Sequence, residues 1–504
     1  MSWNSSRLRA KKLGGRAPAV PYWAPLGIDL FAKAINRLLK DDFFEWTRQI
    51  LEVPGRTVRL NTLGVEILMT DSPENTKAVL STKVSTSILV SPAKVSGFAD
   101  ALVNPQQFAD FGKGEAFHKI WYDLMFDSVF ATDGAIWHDN KNLLRDHTAK
   151  SRTTDYTVTE RHVSTLIRVF SDSRPHDCLD QMDRFVFDVV SDVFFGESAG
   201  TLFTELQPVR NAVEEMFLWN TQRILIGKLG ALLPRSKKAS AVLNQYLDHV
   251  IDQAMAPAED LDSDEAKRKA KSMLRVLVND NVSRKRIKDQ MMAILLSGKD
   301  PVSITLVWVL YELARNPDIV AALHAEISST VGFSAKPFPA QMKTMSLLQN
   351  IIKETLRMQP PVGFSIRTAF SDTTLPTGGG ATGKGRIGVL KGTHIVMSYI
   401  GTQRCKDLVG PTANIFDPWR WEKWSPPLWE FLPFNQGPRI CLGRNFAWMQ
   451  MEYLLYRVFQ VFSHVDLVGE DGERIVAREE MKIKITLNTK PAKPVMLRFR
   501  KAGE

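Results

Sequence analysis

Cysteine is scarce in this chain: three in 504 residues, Cys178, Cys405 and Cys441. An odd, widely spaced set cannot form a disulfide framework and fits a reducing compartment, so each thiol needs its own explanation. Long apolar runs are missing too. No uninterrupted apolar run approaches the roughly 18 residues that a membrane-spanning helix requires. Pro18, Pro21 and Pro25 would break such a helix after the basic start (Arg7, Arg9, Lys11, Lys12, Arg16), and no apolar signal core with a cleavage site follows it. The expectation is a chain with no visible export signal and no visible transmembrane anchor. Internal repeats and low-complexity linkers are absent, as is a nucleotide-binding glycine fingerprint. Neither sign of charge dominates: 65 Lys and Arg against 55 Asp and Glu leave +10. That excess suits an acidic protein face or anionic lipid and gives no reason to expect nucleic acid.

What is present is an ordinary globular mix, 44% hydrophobic and 24% charged. Residues 1–25 read as a basic, proline-rich leading segment and 26–504 as one domain. Alternating apolar and polar positions around turn glycines predict a hairpin over 53–70. Helical periodicity predicts helices near 73–82, 135–146, 159–171, 178–196, 208–225, 237–254, 264–278, 284–315 and 317–331. From Ile366 onward, glycine and β-branched residues predict short strands and turns; a helix is expected after Cys441, and 475–500 returns to strand-like alternation. The expected fold is mainly α with minor β. Alternation of the doubly wound kind is absent.

The most informative stretch begins at Phe434, FNQGPRICLGRNFAWMQMEYLLYRVFQVF. Phe434, Gly437, Arg439, Cys441, Gly443 and Ala447 stand in the spacing F-x-x-G-x-R-x-C-x-G-x-x-x-A. A thiolate that ligates metal needs backbone donors and a positive neighbourhood, and Cys441 sits just ahead of an apolar helix whose N-terminal amides supply both. Gly437 suits a tight turn, Gly443 lets the backbone approach a flat cofactor, and Ala447 keeps the helix face thin beneath it. Arg439 can pair with a carboxylate on that cofactor. This loop resembles the haem-binding signature of the cytochrome P-450 superfamily, in which a cysteine thiolate is the axial ligand of haem iron. The resemblance makes Cys441 the metal ligand. It implies a single large cytochrome P-450 fold, with haem between a long distal helix and the helix that follows the cysteine loop.

Other segments extend the resemblance. KETLR places Glu354 and Arg357 at i, i+3, and FDPWRW offers Arg420, matching the family's buried Glu–Arg–Arg triad; Trp419 stands where the family usually has Glu. WHDNK resembles the family's propionate-binding W-x-x-x-R, with Trp137 and with Lys141 in place of arginine, so charge is kept and the bidentate fork is lost. Arg367 sits where the family has a second propionate-binding arginine. In QRCKD, Arg404 is kept and Gln403 replaces a frequent histidine; Cys405 and Cys178 read as bystanders.

LLSGKDPVSITLVWVLYELARNP resembles the distal helix, aligning Ser297, Gly298 and Asp300 with the family's A/G-G-x-D/E, where glycine makes room for dioxygen and the acid helps deliver protons. The family's next residue is threonine. Here it is Pro301, which has no hydroxyl and should kink the helix. Proton delivery is then left to water, to a substrate hydroxyl, or to Ser297, Ser303 or Thr305.

PLGIDLF, SPENTKAVLSTK, FGKGEAFHKIW, VFATDGAIWH and ERHV are similar to the fungal branch that hydroxylates n-alkanes and fatty acids. That resemblance implies a monooxygenase acting on an unactivated C–H bond of a lipid-like substrate, an alkane, a fatty acid or the tail of a specialised metabolite. It implies haem as cofactor, electrons from NADPH through a flavoprotein reductase docking near Arg439, Arg444 and Lys141, and association with the endoplasmic-reticulum membrane. The basic start and IGKLGALLPRSKK over 226–238 are candidates for lipid contact. Phe117, Val362 and Phe364 are expected to line the pocket. Pro301 leaves three alternatives open: an isomerase or dehydratase, a peroxide-using enzyme, and a non-catalytic haem or lipid binder.

Overall fold

The computed structural model describes residues 3–82, 110–148, 153–205, 207–225, 230, 233, 236–256, 263–469, 472–475 and 481–503. The expected hairpin is β1 (Thr57–Thr62) and β2 (Val65–Thr70), joined by Leu63 and Gly64. Both turn residues have positive φ, +53° and +79°. A two-residue turn of this hand matches the twist of the strands it joins. Three more strands complete the sheet: β3 (Phe111–Gly112), β4 (Phe364–Ala369) and β5 (His394–Ser398). The order is β1–β2–β5–β4–β3, with only β2 and β5 parallel.

Helix makes up the bulk. Six helices position the site: α1 (Glu115–Met125), α2 (Gly134–Thr148), α3 (Cys178–Val190), α4 (Arg284–Arg315), α5 (Ser346–Met358) and α6 (Arg444–Val461). The 32-residue α4 spans about 48 Å at 1.5 Å per residue. It is apolar on nearly every side because neighbours surround it, α3 along its length and α5 and α6 across it. By length and composition it could cross a bilayer, but 78% of its most apolar window is buried inside the protein. It is the core helix.

The 264–278 stretch is two helices, Asp264–Ala270 and Met273–Asn279. Ser272 stops the first and starts the second, its hydroxyl accepting the Arg275 N–H at 3.3 Å. Helices Trp3–Leu13, Ile28–Leu39 and Phe43–Leu51 were not expected. The first is followed by Gly15, whose backbone pairs with Arg386 and Gly388. Part of the 226–238 stretch, residues 226–229, 231, 232, 234 and 235, lies outside the described residues.

Candidate functional site

The cysteine loop is a sharp excursion between Leu432 and α6. Gly437 has φ +71°, and a Cβ there would lie 2.4 Å from the Leu80 carbonyl oxygen, so only glycine fits where the loop crosses residues 78–82. Cys441 N–H donates to the Phe434 carbonyl at 2.9 Å and closes the loop on itself. The Phe434 ring packs 6.1 Å from Trp448 of α6. A Cβ on Gly443 would be 4.0 Å from the Cys441 sulfur. Cys441 is solvent-exposed, whereas Cys178 and Cys405 are buried. Protein nonetheless walls the thiol closely, and this burial pushes it above its ordinary range, while the Gly443 N–H and the Arg444 charge pull it back. A metal cation would complete that pull, because a coordinating thiol is deprotonated outright.

Beside the loop lies a cluster of cations. Arg439 donates to Thr132 O at 2.8 Å and to Asp133 at 2.6 Å, and its guanidinium stacks 4.5 Å over Trp137. Arg367, on β4, is buried; among the described residues its Nη1 reaches the Ser365 hydroxyl and the Ile366 carbonyl, at 3.1 and 2.7 Å. Lys113, which follows β3, lies over the rings of Phe117 and Phe130. Burial lowers all three, most of all Lys113; Arg367 further depresses Lys113 and Arg439, and Asp133 opposes the shift, leaving Arg439 at about 9. Among the described residues, the site thus sets three cations against one carboxylate, two positive charges in excess. An excess of that kind in a buried place calls for anions. A thiol that faces solvent, a glycine beneath it and surplus cations beside it fit an iron porphyrin with two carboxylates.

Lys141 reaches the same loop differently. Its ammonium donates to Pro438 O at 3.0 Å and lies 5.2 Å over Trp137, so it braces the loop backbone. Lys113 and Asp133 were missed in the sequence. The FGKG and VFATDG segments carried them, but no spacing tied those segments together.

Glu354, Arg357 and Arg420 do meet. Arg357 grips the Glu354 carboxylate with two bonds, 2.9 and 2.7 Å, and Arg420 Nε adds one at 3.3 Å. The Asp417 N–H and the Trp421 indole supply two more, at 3.1 and 3.0 Å. Trp419 is on the surface, so the departure from the family's Glu leaves the triad intact. Gln403 links this triad to the loop. Its amide donates to the Leu356 and Arg357 carbonyls, and its oxygen accepts the Leu432 N–H at 2.7 Å, two residues before Phe434.

On α4, Pro301 does not break the helix. It removes the N–H that the Ser297 carbonyl would accept four residues earlier. A Cβ on Gly298 would come 3.1 Å from Val190 of α3, so this glycine serves the close approach of two helices. Of the three candidate hydroxyls, Ser303 is turned to Asp183 at 2.5 Å and Thr305 to the Pro301 carbonyl at 2.7 Å. Ser297 alone is exposed. Asp300 accepts from Lys299 at 2.9 Å and from Asn488 at 3.1 Å. Lys299 is buried, which disfavours its charge, but the Asp183 and Asp300 carboxylates outweigh burial and hold the ammonium above its ordinary range. Of the expected pocket residues, Phe117 and Phe364 are half-buried, while Val362 is exposed.

On the outer side of the loop is a groove of about 860 Å³, with Lys343, Lys353, Arg444, Phe434 and Trp448 in its walls. Arg439 is turned inward and takes no part in it.

The chain is similar to known proteins along most of its length. The family model described as Cytochrome P450 matches residues 67–496. The cytochrome P450 monooxygenase pvhE of Talaromyces variabilis is 32% identical over 488 residues, covering 91% of this chain and 86% of the relative. Cytochrome P450 52E1 of Candida apicola is 29% identical, covering 97% and 93%, and cytochrome P450 52A1 of Candida tropicalis is 30% identical, covering 83% and 77%.

Proposed function

The chain belongs to the cytochrome P450 family, and from that premise we propose a haem-thiolate monooxygenase that hydroxylates an unactivated C–H bond of a lipid-like substrate. The substrate class, an alkane, a fatty acid or an alkyl or polyketide tail, rests on the similarity to the fungal branch. The observation that carries the reading is the exposed Cys441 thiol beside a cationic cluster with two charges in excess. Haem held there would supply dioxygen activation, with thiolate electron density favouring O–O cleavage.

The residues divide the work. Cys441 ligates the metal, and Arg439 and Arg367 hold the haem carboxylates. Trp137 backs Arg439, Lys141 braces the loop through Pro438, and Gly437, Gly443 and Phe434 give the loop its shape. Ser297 and Asp300 lie i, i+3 on one face of α4. Ser297, with a hydroxyl and a carbonyl that Pro301 leaves without a helical donor, holds the water that replaces the missing threonine hydroxyl. The Asp300 carboxylate takes a proton from solvent and passes it to that water. NADPH electrons arrive through a flavoprotein reductase whose acidic face docks on the groove lined by Lys343, Lys353 and Arg444. The exposed Trp23, Leu26 and Ile28 suit contact with a membrane surface.

Cys441→Ser tests the ligand. The wild type should give the thiolate-type band of the reduced carbon monoxide complex and the variant should lack it; a surviving band overturns the assignment. Hydroxylated product should form from alkanes or fatty acids only with reductase and NADPH. Product formed with peroxide alone, or rearranged without reductant, would favour the readings that dispense with the threonine. Substrate-induced spectral shifts without any turnover would favour the binder.

A further inference from the structure

Lys113 has a position that the reaction as described does not use. Its ammonium lies 4.4 Å over the half-buried Phe117 and 4.8 Å over Phe130, which is exposed at its outer side. Its own backbone N–H and that of Gly114 donate to Asp133 at 3.0 and 2.8 Å, and Arg439 donates to the same carboxylate. The Thr368 hydroxyl, on the residue after Arg367, donates to the Lys113 carbonyl at 3.3 Å. The β3–α1 connection, the cysteine loop and β4 are therefore fastened to one another, each bringing one cation. Asp133 is shared among all three cations and forms no ion pair with the Lys113 ammonium. It already accepts three N–H bonds, and among the described residues no other carboxylate pairs with Lys113.

A lysine does not stay charged in such a place without an anion. Lys141, in the position of the family's fork-bearing arginine, donates to a backbone carbonyl of the cysteine loop. The same place thus has one committed cation and one extra cation supplied from another segment. We propose that Lys113 is a third cationic anchor for the two carboxylates of the haem, acting with Arg367 and Arg439. This rests on the haem reading above. The consequence is a direct tie between cofactor and the substrate-side segment 111–133: loading haem holds Lys113 in place, and Phe117 and Phe130 with it.

The test uses holoprotein. Lys113→Met keeps the stem packed over Phe117 and Phe130 and removes the charge; Lys113→Arg keeps the charge; Lys113→Gln is a second neutral variant should the methionine form not accumulate. Haem transfer to an excess of a scavenging apoprotein should speed up about tenfold or more in the neutral variants and stay near wild type in Lys113→Arg. The haem midpoint potential should move negative in the neutral forms, since a nearby positive charge is lost. Equal transfer rates and potentials in wild type and both neutral variants would overturn the proposal. So would a charge-preserving variant that loses haem as fast as the neutral ones. A spectral titration separates the other anion with this chemistry: if the neutral variants keep haem normally but bind a fatty acid weakly and its methyl ester as before, Lys113 holds a substrate carboxylate and the proposal fails. A wild type without a thiolate-type spectrum would instead sink the haem reading itself.

Discussion

Replacing Glu354 by glutamine changes one atom and should cost the protein much of its stability. Glu354 and Arg357 are fully buried, and the carboxylate accepts five hydrogen bonds, all from N–H donors. Oε2 receives the Arg357 Nε and the Trp421 indole; Oε1 receives the Arg357 Nη2, the Arg420 Nε and the Asp417 N–H. An amide turns one of these oxygens into a donor, so in either orientation at least two of the five N–H groups meet another donor. Two guanidiniums are also left without their counter-charge. Removing one partner of a buried pair costs about 3–5 kcal/mol, against a total stability of about 5–15 kcal/mol. The damage should reach the metal site through Gln403, which bridges the end of α5 to Leu432. Urea titration of holo Glu354→Gln, followed by far-ultraviolet dichroism and by the reduced carbon monoxide spectrum, should show an early midpoint, with the thiolate band lost before the helix signal. A variant within about 1 kcal/mol of wild type, with its thiolate band intact, would refute the claim that this carboxylate braces the loop.

Gly437→Ala should prevent stable loading of thiolate-ligated haem while leaving helix content unchanged, because its Cβ would collide with the Leu80 carbonyl at a positive φ; haem per chain after purification measures it. Ser297→Ala should lower turnover about a hundredfold with an unchanged resting spectrum. Pro301→Thr, which returns both a hydroxyl and an N–H, should raise the fraction of NADPH electrons recovered in product; no change in coupling would argue against a relay at Ser297. Asp183 is held below its ordinary range: burial opposes this, but Lys299, Ser303 and Arg210 outweigh it. A lowered carboxylate contributes stability that is fully present above its unfolded value of about 3.9 and lost as pH falls through the folded value. Wild type should therefore lose stability below about pH 4 more steeply than Asp183→Asn, which should already be weaker at pH 7 by about 3 kcal/mol. Urea midpoints from pH 3 to 7 would reveal parallel curves if the pair were energetically silent.

Local patterns carried the helices, the hairpin and the cysteine loop because each is specified within a short stretch. Periodicity alone placed Arg284–Arg315 and Pro208–Leu225, and six spaced residues in the loop identified the family. Where neighbours are distant in sequence, the chain order was silent. Strands such as Phe111–Gly112 are two residues long and exist only because β4 pairs with them. Trp419 stood in the sequence as a departure from the family's Glu; its surface position, and the inward turn of Trp421, showed what each tryptophan does. Lys141 and Arg439 both read as cations near the cofactor; tertiary contacts decided that one grips a backbone carbonyl and the other Asp133, and that neither belongs to the outer basic groove.

The residue types at Cys441, Pro301 and the Glu–Arg–Arg set were therefore determined by sequence alone, and with them the family and the missing hydroxyl. The grouping of Lys113, Arg367, Arg439 and Asp133 was decided only by folding. These groups come from four segments spread over more than three hundred residues. Charge balance is a property of distance in space, which a linear pattern does not contain.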